Sequence, residues 1–210
     1  MARAPVFKKT YKDYMQQLGR LDLRSRQEML GYAMDDSGIR ISLFDRNFYF
    51  REGDIFDSNG NIPDLPTAVV LSKYLLLCPS APLFSRNLNT FKDFKDAAPL
   101  IGYFDRTVLG KIAQDFHGRA QALARACQAL GGRPCMPDLA YQIKFQFSGL
   151  PEVPVYLLYN DAEEGFAAQC TLLFEQRAQN FLDMESLAML GSILAVRLAK
   201  VDRLKPADEC

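Results

Sequence analysis

The sequence predicts an α+β fold: an antiparallel β-sheet of about five strands covered by helices, with an N-terminal helical pair. Three observations lead there. Tyr141, Ile143, Phe145 and Phe147 alternate with Gln142, Lys144 and Gln146, the period of two expected of a strand with one buried and one wet face. Two further apolar runs, Val153 to Tyr159 and Cys170 to Phe174, follow across connections too short for a crossover helix, which favours an antiparallel meander. Behind them comes a seam at helical spacing, Leu187, Leu190, Leu194, Leu198 and Val201. Asp183 and Glu185 open it and Arg197 and Lys200 close it, charges that suit the two ends of a helix dipole.

Taken from the amino end, Phe7, Tyr11, Tyr14, Met15 and Leu18 recur at three and four residues, and Gly19 stands where a left-handed cap ends a helix, so the first helix spans 5 to 18. Asp22 opens a second helix carrying Leu23, Leu30 and Ala33, stopped by the turn cluster Asp35, Asp36, Ser37, Gly38. Ile39 to Phe44 and Asn47 to Arg51 form a small hairpin around Asp45 and Arg46, and Asp57, Ser58, Asn59 and Gly60 make a further turn. Pro66 begins a helix whose residues Ala68 to Leu77 leave almost no polar face, which makes it central. Pro79 and Pro82 end it. The irregular stretch up to 104 holds Phe84, Phe91, Phe94 and Phe104 and is expected to be pinned to the core. The longest helix is expected from Arg106 to Leu130, with Leu109, Ile112, Phe116, Leu123, Cys127 and Leu130 in one stripe and Gly131-Gly132 as its stop.

The chain of 210 residues is enough for one good core, and a single α+β domain over 1–210 is expected, with 202–210 a flexible tail. Its 25 basic and 25 acidic residues balance, so no global positive field gathers phosphate backbones, and nucleic acid is not an expected partner. The basic residues Arg119 and Arg125, or Lys8, Lys9 and Lys12, read as solvated helix faces. The richest apolar run, Ala68 to Cys78, is broken by Ser72 and Lys73 and falls short of the roughly 20 residues that span a bilayer. Charges occupy the place of an export signal's apolar core, so a cytoplasmic location is expected. Five cysteines at 78, 127, 135, 170 and 210, with no CxxC pair, suit buried free thiols, Cys210 excepted as an exposed chain end.

No GxxxxGK, GxGxxG or GxSxG pattern occurs, and Cys127 falls on the buried side of its expected helix, where a thiolate is penalised. The single histidine, His117, flanks an apolar stripe, where a ring more often packs its body and wets one nitrogen than acts as base or ligand. The remaining candidate is the run Asn160 to Phe166. Asp161, Glu163 and Glu164 could hold a hard cation through oxygen, although turns favour the same residue types for backbone reasons alone. No cofactor is assigned.

Several segments together resemble a known family: LPEVPVYLLYNDAEEGFAAQCTLLFE at 150 to 175, FLDMESLAMLGSILAVRL at 181 to 198, VVLSKYLLL at 69 to 77, FKDF at 91 to 94 and DFHGRAQALARACQALGG at 115 to 132. The pattern is similar to the prokaryotic domain of unknown function 3786 family, common in anaerobic bacteria and archaea. Some of its members carry an iron–sulfur segment and are linked to one-carbon or corrinoid metabolism. This chain has no such cysteine segment, so the resemblance does not carry a cluster over. The family places an acidic pair, then Phe and Pro, before its last strand. Glu163 and Glu164 match, but Gly165 intervenes before Phe166 and Ala167 stands at the proline.

The leading expectation is a non-catalytic ligand- or protein-binding accessory protein of anaerobic metabolism, because no catalytic constellation is assembled in the sequence. The alternative is a metal- or cofactor-dependent enzyme using the acidic loop 160–164, with Asp161, Glu163, Glu164 and His117. A homo-oligomer resting on the aromatic stretch 84 to 104 is a third. Expected partners are a protein or a small-molecule ligand, with neither nucleic acid nor membrane.

Overall fold

The computed structural model describes residues 5–35, 38–79, 81, 85–135 and 140–204. The first helix, α1 (Pro5–Leu18), ends where expected but without the left-handed cap, since Gly19 does not have positive φ, and it rests on a later helix. Asp22 does open the next turn, its Oδ1 accepting from the backbone N–H of Arg24 at 3.1 Å. That turn is only a 3-10 segment, Arg24–Arg26, followed by the short α2 (Gln27–Leu30). The expected helix through Ala33 is therefore corrected. Gly31, at φ +62°, ends it in the left-handed conformation and redirects the chain into β1 (Ala33–Asp35).

The small hairpin is part of a four-stranded antiparallel sheet, β1 with β2 (Gly38–Leu43), β3 (Arg46–Arg51) and β4 (Asp54–Asp57), in that spatial order. Two-residue turns join the last three strands, with Leu43 opposite Arg46 and Arg51 opposite Asp54. Glu52 and Gly53 both have positive φ, which matches strand twist in such tight hairpins. Phe44, also at positive φ, is a side chain in a region that disfavours it. Its ring is buried edge-on against Phe147, 6.1 Å between centroids, with the Arg197 guanidinium 5.7 Å over it.

Helix α3 (Leu65–Leu76) is capped by Asp64, whose Oδ1 accepts from Thr67 N–H at 3.0 Å, with Pro66 in its first turn. Its residues from Thr67 to Leu75 are buried apart from Val69 and Lys73, in keeping with the all-round apolar reading. The following aromatics are pinned as expected: Phe91 stacks on Phe104 at 4.2 Å, and Phe94 and Phe104 both meet Phe174. Phe84 lies outside the described residues. The stretch also contributes a short strand, β5 (Leu88–Thr90).

The long helix expected over 106 to 130 is several pieces. α4 (Ile101–Phe104) runs through a π-helical stretch, Asp105–Leu109, into α5 (Gly110–Asp115); the chain then breaks at 116 to 119 and restarts as α6 (Ala120–Ala129). The apolar stripe misled because Ile112, Phe116, Leu123 and Cys127, on either side of the break, are buried in the same core. Gly118 at φ +67° makes the break, and a carboxylate from another loop caps the restart.

The five-stranded antiparallel sheet has the order β5–β9–β8–β7–β6, with β6 (Arg133–Pro134), β7 (Ile143–Leu150), β8 (Val153–Asn160) and β9 (Gln169–Glu175). Phe145, Phe147, Val155, Leu157, Tyr159, Leu172 and Phe174 are buried in the main core, while Gln146 and Ser148 point to water as the alternation requires. Leu158 and Leu173 are buried outside that cluster. Gly149 is at a bulge. A Cβ there would meet Val153 O and Val155 Cγ2, each at 2.7 Å, and its carbonyl accepts from Phe44 N–H at 3.0 Å, tying the hairpin turn to β7.

Helix α7 (Met184–Leu204) is the central rod, its Leu187, Leu190, Leu194 and Leu198 fully buried against α3, α5 and α6. Asp183 Oδ1 accepts from Ser186 N–H at 2.9 Å and pairs through Oδ2 with Lys73 at 2.9 Å, so the expected opening of the helix is observed. Burial opposes its charge, but Lys73 and Ser186 hold its carboxyl below the usual range. Asp202 to Leu204 continue the helix rather than beginning a tail, and the rest of the expected tail lies outside the described residues. No helix among the described residues is long and apolar enough to cross a membrane.

Candidate functional site

The acidic loop follows β8, where Tyr159 ends the buried face and Asn160, paired with Gln169, is the last residue of the strand. Asp161 does not point at open space. Its Oδ1 accepts from the backbone N–H of Gly118 at 2.7 Å and of Ala162 at 2.9 Å, and its Oδ2 from Ala120 N–H at 2.9 Å. The Tyr159 hydroxyl shares one proton between Asp161 at 3.0 Å and the Phe116 carbonyl at 2.8 Å. Asp161 is thus the tie that satisfies the exposed amides where the helix breaks and restarts. Burial works against its charge, but the hydrogen bonds from Ala162, Ala120, Gly118 and Tyr159 outweigh this and hold its carboxyl below the usual carboxylate range.

Glu163 and Glu164 are not brought beside it. They occupy a tight turn closed by Glu163 N–H to Phe166 O at 3.1 Å and Phe166 N–H to Glu163 O at 2.9 Å, with Gly165 at φ +84°. Both acids are exposed, and Phe166 at the tip is 73% exposed. His117 is in the break rather than on a helix flank, so its expected packing is corrected: the residue is exposed. Its neighbour Gly118 contacts Asp161, which puts the histidine and the acidic loop on adjoining turns. No group of three or more His, Cys, Asp or Glu among the described residues is arranged to hold a metal ion. Cys127 and Cys170 are buried, and burial pushes both thiols up, away from nucleophilic thiolate.

A substantial concavity lies elsewhere. A cleft of about 710 Å³ opens between the four-stranded sheet and α7. One wall is the β2–β3 turn, Asp45 to Asn47; the floor includes Phe48 and the start of α3; the rim is the loop Asp57 to Asp64. The other wall is one face of α7, where Ser192, Ile193, Val196, Arg197 and Lys200 fall at helical spacing. Arg197 is nearly buried and fixed, donating to Leu43 O at 2.9 Å and to Asp45 Oδ1 at 3.2 Å. Asp57 is held by its own loop, its Oδ1 accepting from Asn61 N–H at 2.8 Å and Asn59 N–H at 2.9 Å. These bonds, with help from the Arg46 charge, keep its carboxyl below the usual range.

A second, shallower cleft of about 450 Å³ on the outer face of the five-stranded sheet contains the buried Glu175. Arg177 bridges it, its Nε 2.5 Å from Glu175 and its Nη1 2.6 Å from Glu152. This set is internally paired and ties the end of β9 to the β7–β8 turn.

None of the cleft residues was singled out from sequence as a site. Asp57 to Gly60 reads only as a turn, and Arg197 and Lys200 read as closing charges of a helix. The pairing of Arg197 with Asp45 spans 152 residues, and no local pattern carries it. Among known proteins, the family model described as Domain of unknown function (DUF3786) matches residues 22–197, and neither a curated protein nor a solved structure matches the chain.

Proposed function

The chain belongs to the DUF3786 family, and we propose that within it the protein is a non-catalytic, ligand-binding accessory protein of anaerobic metabolism, acting in the cytoplasm through the cleft between the β2–β3 turn and α7. The observation that carries this is the cleft itself. Its volume falls within the several hundred Å³ of ordinary small-molecule sites, and it combines apolar walls with a few convergent charged groups. The metabolic setting rests on the family resemblance, and the compartment on four described cysteines that form no disulfide. The acidic loop supports an enzyme less well, because Asp161 is spent on backbone amides while Glu163 and Glu164 face water.

The test is to titrate isotope-labelled protein with a library of small metabolites and follow the backbone amides. Saturable shifts at Asn47, Ser58, Asn59 and Thr67, removed by filling the cleft with Val196→Trp while the fold persists, are the expected result. Binding mapped only to the 160–164 loop, or turnover of a metabolite that Glu163→Gln or Glu164→Gln abolishes, would replace this reading with the enzymatic one.

A further inference from the structure

We infer that the turn Asp57 to Asn61 carries a site of spontaneous covalent modification: the side-chain amide of Asn59 is converted, through a cyclic imide with Gly60, into a carboxylate on the rim of the cleft. Asn59–Gly60 is the one Asn–Gly pair in the chain, and the other six asparagines all precede a residue with a side chain. That difference decides reactivity, because the attacking atom is the backbone nitrogen of the following residue, and a side chain there shields it. Gly60 leaves it open. Its φ of +79° suits glycine, and even a Cβ built there would meet nothing within 4 Å. Residues 58 to 61 are exposed, so solvent base and water reach the site. The Asn59 carboxamide makes no hydrogen bond to another described residue and is free to turn towards the nitrogen.

The Gly60 nitrogen loses its proton to solvent base and bonds to Cγ of Asn59, closing a five-membered ring, and the side-chain nitrogen takes up a proton and departs as ammonia. Water then opens the imide. Breaking the bond from nitrogen to Cγ leaves aspartate, and breaking the bond to the main-chain carbonyl leaves isoaspartate, in which the main chain runs through Cβ. Nothing is oxidised or reduced, and water is the only co-reactant. The fold slows this reaction without blocking it. Gly60 N–H donates to Asp57 O at 3.0 Å, and Asp57 Oδ1 accepts from Asn59 N–H at 2.9 Å and Asn61 N–H at 2.8 Å, so the turn must loosen before the nitrogen can attack. A single hydrogen bond in an exposed loop shifts such an equilibrium by roughly two- to tenfold. The lining of the cleft holds three acids and three bases, so the new carboxylate turns its balanced charge negative. The isoaspartyl form also adds one main-chain atom between the two amides that Asp57 holds.

The test ages the full chain at neutral and at mildly alkaline pH, folded and unfolded in guanidinium, and follows the fragment bearing residue 59 by mass spectrometry after chromatography that separates aspartyl from isoaspartyl forms. In the folded chain the fragment should gain the mass of an amide-to-acid exchange and appear as two isomers, faster at the higher pH, while the other asparagines stay amides. The folded rate should lie roughly two- to tenfold below the unfolded one. Asn59→Gln keeps every backbone hydrogen bond of the turn but would need a larger ring, so its fragment should stay unchanged over the same period. Asp57→Ala, which frees the amides of Asn59 and Asn61, should convert faster than the wild type and approach the unfolded rate. If the folded chain keeps Asn59 intact while the unfolded chain converts, or if the Asn59→Gln fragment gains the same mass, the assignment of this site is overturned. An Asp57→Ala rate no higher than the wild type's would overturn the restraint by Asp57.

Discussion

Truncating Asp161 tests whether the most site-like acid in the sequence is a structural tie. In Asp161→Ala, the amides of Gly118, Ala120 and Ala162 and the Tyr159 hydroxyl lose a common acceptor. Removing a helix cap costs about 0.5–2 kcal/mol, and a hydrogen bond to a charged group contributes about 1.5–3 kcal/mol. Water reaches this half-exposed loop and takes over part of the loss, so a destabilisation of about 2 kcal/mol is expected. For a chain of this size that corresponds to a fall in melting temperature of about 4–8 °C. Asp161→Asn should cost nearly as much. If its carbonyl replaces Oδ1, its NH₂ faces the Ala120 N–H, donor against donor. The pH dependence has a definite sign. The folded carboxyl titrates below its unfolded value, so the stabilisation is fully present above the unfolded value, about pH 4, and is lost as the pH falls through the folded one. Urea melts of wild type and Asp161→Asn from pH 7 down to pH 3 should show a gap that is constant near neutrality and closes in acid. A gap below about 0.5 kcal/mol at pH 7, or one unchanged at pH 3, would refute the tie.

Three other outcomes are expected. Gly191→Ala, which in an ordinary helix stabilises by up to about 1 kcal/mol, should destabilise α7, because the added methyl would stand 2.8 Å from the Phe104 ring and 3.2 Å from Val108; a higher urea midpoint than wild type would show that the packing there is slack. Tyr74→Phe should cost about 1–3 kcal/mol in the same assay, since the fully buried hydroxyl donates to Leu30 O and accepts from Glu152 N–H, and both groups lose a buried partner; a loss under 0.5 kcal/mol would mean that water replaces it. The double variant Glu163→Gln, Glu164→Gln should melt with the wild type in added Mg²⁺, Ca²⁺, Mn²⁺ or Zn²⁺, whereas a metal-induced rise seen only in the wild type would revive the cation site in the acidic loop.

The elements visible in the sequence are those whose physics is local. The alternation at 141 to 147 is read directly because one face of β7 meets the core and the other meets water, and α7 is bounded by Asp183, which is found capping it. β5 and β6, of three and two residues, are too short to display a period, so the five-stranded sheet emerged as a meander without its edges. β1 is hidden inside a helical pattern because Ala33 keeps the spacing of Leu23 and Leu30, although Gly31, which ends α2 in the left-handed conformation, is a residue type that marks helix ends. Likewise the stripe from Leu109 to Leu130 keeps helical spacing across a break whose cap, Asp161, arrives from 41 residues further along the chain.

The candidate site shows the same division more sharply. Residue type drew attention to Asp161, Glu163, Glu164 and His117, yet what a carboxylate can do depends on how many donors already claim it, a quantity set by tertiary contacts. Asp161 is claimed on both oxygens by three backbone amides and a tyrosine; Asp45, Asp57 and Asp64, inconspicuous in turns and at a cap, are each claimed on one oxygen. Arg46 from a hairpin and Lys200 from the last helix become neighbours of one cleft because the Phe44 turn is anchored to β7 and Arg197 reaches across to Leu43 and Asp45. A search for function that follows acidic residue types leads at Asp161 to a structural tie, whereas the cleft is made by the tertiary packing of the hairpin, the 57 to 64 loop and α7.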